Sequence, residues 1–228
     1  HAVKRNGKIL IPSFTLERTQ ELLYFLNELL RENSIPSIPI YVDSPLAVNI
    51  TDIFKYHVDY FNEETRKLIS QGCSPFEFLN LKFIREQQES KSLNNDKRPM
   101  IIIAGSGMCE SGRILHHLKN NIEDSRNMIL VVGYMARDTL GKHIVDKARV
   151  VKIFGVGYEL NAEVVVINSF SGHADKNGLI EFARESRPSK RIFLVHGDED
   201  QSQSLFDALT EQGFDCYIPY KNEEVLLD

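Results

Sequence analysis

The sequence predicts an α/β fold with a mainly parallel sheet flanked by helices, because short β-branched runs alternate with amphipathic stretches along most of the chain. Two further signals agree. Apolar runs stop abruptly at Asp43-Ser44-Pro45, at Gly105 and at Gly133, as strands do where they turn into helices. Segment 17–31 sets Leu22, Leu23, Leu26, Leu29 and Leu30 on one helical face, which needs a sheet or helix to cover it.

Taken in order, residues 8–11 form the first strand and residues 17–31 a helix for which Thr15 is the expected cap. Residues 40–42 are a second strand. Pro45 then suits the first turn of a helix running toward Ile53. Residues 57–91, with Phe76, Phe78 and Phe83 scattered among polar residues, read as helical and irregular, and 94–99 as a turn-rich loop. Segment 100–104 is an unbroken apolar strand, 112–119 a helix and 128–132 another buried strand. After His143 the texture changes: 150–154, 158–160 and 163–167 read as neighbouring strands of a meander, with Gly155-Val156-Gly157 in a turn. A helix at 179–185, a strand at 192–195, a helix at 202–212 and a strand at 216–218 restore the βαβ rhythm. The change of texture places a domain boundary near residue 145.

With 228 residues, 42% of them hydrophobic, the chain can bury an ordinary core as one large or two small domains. A net charge of −5 argues against a surface that clings everywhere to nucleic acid, but leaves room for a local basic groove. Cys73, Cys109 and Cys216 are odd in number and widely spaced, which indicates neither a disulfide framework nor a cysteine zinc site. A reducing cytoplasm is the expected location, with no membrane-spanning run and no signal peptide. Because the chain opens on His1, it is expected to be a piece of something longer.

Gly105-Ser106-Gly107 closes a strand and Ser111-Gly112-Arg113 opens a helix. Glycine amides, serine hydroxyls, a helix N-terminus and a guanidinium together make a phosphate cradle, and the same residues would equally serve a tight βα connection. No GxGxxG or P-loop pattern occurs, so a nucleotide cofactor is not expected. His173 lies in Ser169-Phe170-Ser171-Gly172-His173-Ala174-Asp175, on a strand-to-helix turn where it can be a metal ligand or a hydrogen-bonded structural histidine, with Asp175 capping the helix. Adjacent residues on a helix diverge by about 100°, so His116 and His117 cannot share a metal: one packs, the other meets solvent. His57 is read as structural.

These segments, read together with Gly133-Tyr134, Gly141-Lys142-His143 and Val195-His196-Gly197, resemble the β-CASP branch of the metallo-β-lactamase-fold nucleases over nearly the whole chain, from Gly7 to the last strand. The resemblance implies that residues 1–145 are most of a β-CASP domain and 146–228 the closing segment of a metallo-β-lactamase αββα domain. It implies a zinc-dependent RNA phosphodiester hydrolase in which His143 protonates the leaving oxygen and His173 completes the coordination of one of two zinc ions. Asp175 would orient the His173 ring, and His196 would brace the site by hydrogen bonds. Ser106, Gly107, Ser111, Gly112, Arg113 and Ser171 are the candidate phosphate and RNA contacts. The family's His-x-His-x-Asp-His cluster and its acidic partner are absent from this sequence, and Asp43-Ser44-Pro45 is not read as that acidic element. The chain is therefore expected to carry an incomplete metal site, to be inactive alone, and to work with an N-terminal metallo-β-lactamase portion on single-stranded RNA. A homodimer is a further expected partner. A scaffold that has lost its metal ligands is the rival, and a serine hydrolase lacks its Gly-x-Ser-x-Gly elbow. DNA against RNA, and endonuclease against exonuclease, stay open.

Overall fold

The computed structural model describes residues 1–226 and divides into two compact units, His1–Ser171 and Gly172–Asp228. In the first unit, six strands form one sheet: β1 (Ile9–Pro12), β2 (Ile40–Val42), β3 (Leu81–Phe83), β4 (Ile101–Ala104), β5 (Met128–Val131) and β8 (Glu163–Val166). They run in the order β3-β2-β4-β1-β5-β8, and every pairing is parallel. Parallel pairing requires long crossovers, and helices supply them. These are α1 (Arg18–Arg31), α2 (Pro45–Tyr56), α3 (Glu63–Ser70), α4 (Gln87–Asn95), α5 (Arg113–Asn121) and α6 (Leu140–Val145).

Both faces of the sheet are covered, so its central strands read as continuous apolar runs and not as alternating ones. Leu10, Ile102 and Ile129 stand side by side in register and point into one core with Ile114 and Leu118 of α5 and Ile144 of α6. Ile11, Ile103 and Val42 point the other way, onto Leu22 and Leu23 of α1 and Ala47 of α2. Ser44 caps α2 by accepting from the Ala47 amide (3.3 Å), with Pro45 at the first helical position. Cys109 is a packing residue here, its thiol pushed up to about 12 by burial and then by Glu110.

Three sequence expectations change. The cap expected at Thr15 is not used: α1 starts after Glu17, and the carbonyl of Thr15 accepts from Gln20. A strand, β3, lies inside the segment read as helical and irregular. The meander is only a hairpin, β6 (Val150–Ile153) with β7 (Val156–Glu159), while β8 leaves it and pairs parallel with β5, Ile129 opposite Val164. Because β8 adds to the main sheet, the first compact unit runs on to Ser171.

The second unit contains α7 (Lys176–Ser186), β9 (Arg191–Phe193), α8 (Glu199–Thr210) and β10 (Asp215–Tyr217), with β9 and β10 parallel. Among the described residues, no helix is long and apolar enough to cross a membrane.

Candidate nucleic-acid interface

In an open parallel sheet, ligands bind outside the carboxyl ends of the strands where neighbouring connections leave to opposite faces. Strands β4 and β1 make such a point. From β1 the chain enters α1, which packs on one face, and from β4 it enters α5, which packs on the other. The crevice between them is lined by residues 13–16 on one side and the glycine loop 105–112 on the other. Sequence and topology therefore meet at the same loop.

The loop is held from within. Ser106 Oγ accepts from the amides of Glu110 (3.0 Å) and Ser111 (3.1 Å), and the Ser111 carbonyl accepts from the Ser106 amide (3.0 Å). Two glycines are required by their surroundings. A Cβ on Gly112, at φ +77°, would sit 2.4 Å from the Gly105 carbonyl oxygen. One on Gly107 would sit 2.6 Å from the ring of Phe14, which lies half-exposed beside it. Among the described residues the amides of Gly107, Met108 and Gly112 meet no acceptor; Gly107 is buried, while Met108 is partly exposed and Gly112 exposed, where an amide can serve as a donor for an anion. Ser111 and Gly112 are exposed. Ser106 Oγ is thus the acceptor that closes the loop.

Arg113 also bonds within the protein. Its Nη1 donates to Asp43 Oδ1 (2.5 Å) and to the Ile84 carbonyl (3.3 Å), and its Nη2 to the Arg85 carbonyl (2.7 Å). The guanidinium faces inward, away from the role of a phosphate contact. Asp43 is wholly buried and also accepts from His117 Nε2 (2.6 Å) and Ser90 Oγ (2.5 Å). Burial pushes its carboxyl up, but hydrogen bonds from His117, Ser90 and Arg113 outweigh that and hold it below the ordinary range. His117 is buried, with Nδ1 3.0 Å from Asn94 Oδ1, while His116 is exposed against Phe154, so the two adjacent histidines divide as their helical spacing requires. Asp43, Ser90 and His117 are the residues that sequence reasoning missed. Asp43 looked like turn punctuation, and its partners lie 47, 70 and 74 positions away.

His143 is exposed on α6. Thr139 caps that helix through the Lys142 amide (3.1 Å), and its first turn is sewn to the glycine loop: the Gly141 amide donates to the Met108 carbonyl (3.1 Å) and the Leu140 amide to Glu110 (2.6 Å). An exposed imidazole is thereby fixed on a helix bonded to the donor-rich loop. Ser171 is exposed at the end of the first unit.

In the second unit, His173 is exposed on the loop before α7. Asp175 caps that helix by accepting from the Gly178 amide (2.8 Å). His196 belongs to the loop after β9. It stands just beyond β9 at φ +64°, exposed, and its side chain makes no hydrogen bond among the described residues, so it braces nothing within them. His196 and the two residues after His173, Ala174 and Asp175, line one groove of about 680 Å³ whose walls include Leu179, Phe182 and Val195. The loops carrying the two histidines thus meet at one place. Among the described residues no group of three His, Cys, Asp or Glu gathers to hold a metal ion, so these residues do not fit a complete zinc site, which takes three or four such donors.

Comparison with known proteins adds independent observations. The Beta-Casp domain model matches residues 19–144, and the model of the Zn-dependent metallo-hydrolase RNA specificity domain matches residues 157–219. The chain is 38% identical over 211 residues to Ribonuclease TTHA0252 of Thermus thermophilus, covering 92% of this chain and 48% of that protein. It is 33% identical over 220 residues to Transcription termination factor FttA of Methanosarcina mazei (92% and 34%), and 28% over 203 residues to an RNase J-like protein of Methanocaldococcus jannaschii (89% and 46%). The chain spans between a third and a half of the length of these curated relatives.

Proposed function

Because this chain belongs to the β-CASP family of the metallo-β-lactamase superfamily, we propose that it forms part of a zinc-dependent ribonuclease acting on single-stranded RNA. The observation that carries the reading is the glycine loop at the switch point, with the amides of Gly107, Met108 and Gly112 turned to no acceptor of the protein. Such donors suit a phosphate, and they carry no base information, so the interface would hold the backbone of RNA of any sequence. Phe14 beside the loop offers a half-exposed ring on which an unpaired base can stack.

Two imidazoles are too few for a zinc ion, so the remaining ligands of the proposed centre come from outside the described residues. What this chain contributes there is the pair His173 and His196, on loops that share one groove. Either can serve as a ligand through a neutral nitrogen or donate a proton to the leaving oxygen. His143, fixed beside the phosphate loop, is the proton donor that the family resemblance implies.

The test is made in the full-length protein with labelled single-stranded RNA. Cleavage abolished by a chelator and restored by zinc supports the reading. RNA bound tightly but left intact by the zinc-loaded protein would make it a scaffold. Alanine variants then assign the histidines: replacing a ligand removes zinc, whereas replacing the proton donor keeps zinc and slows the chemical step by roughly 10² to 10⁴-fold. If neither His173→Ala nor His196→Ala changes zinc content or turnover, the pair has no place in the reaction.

A further inference from the structure

A carboxylate with no exposed surface sits directly behind the glycine loop. Asp43 ends β2, its own amide donating to the Ile103 carbonyl (2.8 Å), and its two oxygens take bonds from Arg113, His117 and Ser90. Burying such a group costs several kcal/mol, and well-packed apolar residues of similar volume often serve stability as well or better. Packing alone does not account for the arrangement. What the charge adds is direction: it draws Arg113 into one orientation, and two more of the guanidinium N–H groups go to the carbonyls of Ile84 and Arg85 at the exit of β3. Arg113 is the first residue of α5 and follows Gly112, whose backbone lies against the Gly105 carbonyl. The Ile114 amide donates to that same carbonyl (3.0 Å). Fixing Arg113 therefore fixes the end of the glycine loop against its beginning, and with it the direction of the three amides without acceptors.

We propose that Asp43 is a positioning residue for RNA binding: acting through Arg113, it sets the geometry of the phosphate-holding loop without touching the substrate. This rests on the reading of that loop as the RNA interface. Ser90 and His117 hold the carboxylate from the side away from Arg113's oxygen, so they belong to the same device.

The experiment uses the full-length protein, labelled single-stranded RNA, and zinc content measured alongside. Arg113→Lys keeps the charge but cannot reproduce the planar fork, and Ser90→Ala removes one bond from Asp43. For Arg113→Lys we expect KM for RNA to rise roughly tenfold, equivalent to one hydrogen-bonded charge contact, with zinc content unchanged and kcat altered far less. Ser90→Ala should move KM in the same direction by less. Asp43→Asn should have the largest effect, and adding Arg113→Lys to it should cost little more, because both act through one link. Should Asp43→Asn fail to fold, the two milder variants still decide. A wild-type KM in Arg113→Lys, accompanied only by a lower melting temperature, overturns the inference and leaves a purely structural network. A wild-type protein that neither binds nor cleaves RNA overturns the reading of the loop itself, and this inference with it.

Discussion

Lys8 is buried at the start of β1 and donates from Nζ to the carbonyls of Leu93 (2.7 Å) and Asn94 (3.3 Å) at the end of α4. Burial, and next the charge of Lys97, bring its pKa down from 10.5 to about 8, against the opposite pull of Asp96 and Asp124. Between those two values the unfolded chain holds a proton that the folded chain has released, so stability rises with pH across that window. Urea unfolding at a series of pH values should show wild type gaining on Lys8→Met from about 8 upward by an amount on the order of 3 kcal/mol by pH 10.5; a constant difference would show that Lys8 stays charged. Asp43 works at the other end of the scale. Its folded pKa lies below the ordinary 3.8, so its contribution is complete above that value and is lost as the pH falls through the lower folded one. Removing one partner from such a buried pair costs about 3 to 5 kcal/mol. Asp43→Asn should therefore trail wild type by that order at neutral pH, and the gap should narrow only in strong acid. A gap that does not depend on pH would mean the carboxylate is not ionised in the fold.

Among the elements, the turn from β4 into α5 is held to one backbone path by Gly112 at φ +77°. Gly112→Ala forces a side chain into positive φ and into the Gly105 carbonyl, which should cost roughly 1 to 3 kcal/mol or displace the loop. Thr139→Ala, losing only the cap of α6, should cost about 1 kcal/mol. Thermal melts of both variants compare them directly, and a Gly112→Ala protein as stable as wild type would mean that the loop has a second, equally good conformation. The elements also show where the sequence was readable. Helix α1 announces itself by its leucine face and α2 by Ser44-Pro45, because cap chemistry and periodicity are local. Strand β3 was missed since three residues, the half-exposed Leu81 and Phe83 about an exposed Lys82, carry no period long enough to register. Strand β8 was recognised as a strand but given the wrong partner: local spacing favours its hairpin neighbours, while its actual ladder is to Met128–Val131. The glycine loop was legible as a phosphate cradle or a tight βα turn, yet the inward turn of Arg113 was not, because nothing near it in sequence reveals the carboxylate 70 positions earlier. The exposure of His196 beyond β9 is likewise a matter of side-chain placement that spacing does not encode.

At the scale of the whole molecule, the two units differ sharply in what they bury. The first has two apolar clusters, one on each face of a six-stranded sheet. In the second, Ala183 and Leu209 are the buried hydrophobic residues among those described, whereas Phe182 and Val195 are 70% and 68% exposed. Apolar burial is the main source of stability, and regions with little of it open at low free-energy cost. Hydrogen exchange of this chain should therefore show amides of β1, β4 and β5 protected longest and those of β9 and β10 exchanging far sooner. Equal protection in both units would mean that the second unit draws stability from something other than its own core. Metal retention belongs to the same scale, because a zinc site stabilises a fold only when its ligands are already gathered. With no group of three His, Cys, Asp or Glu gathered to hold a metal among the described residues, this chain should lose zinc on dialysis and leave labelled RNA uncut. In the full-length protein, zinc should survive dialysis and slow exchange in β9, as binding to the folded state alone requires. Stoichiometric zinc kept by this chain alone, with cleavage that a chelator stops, would show that its own residues complete the centre.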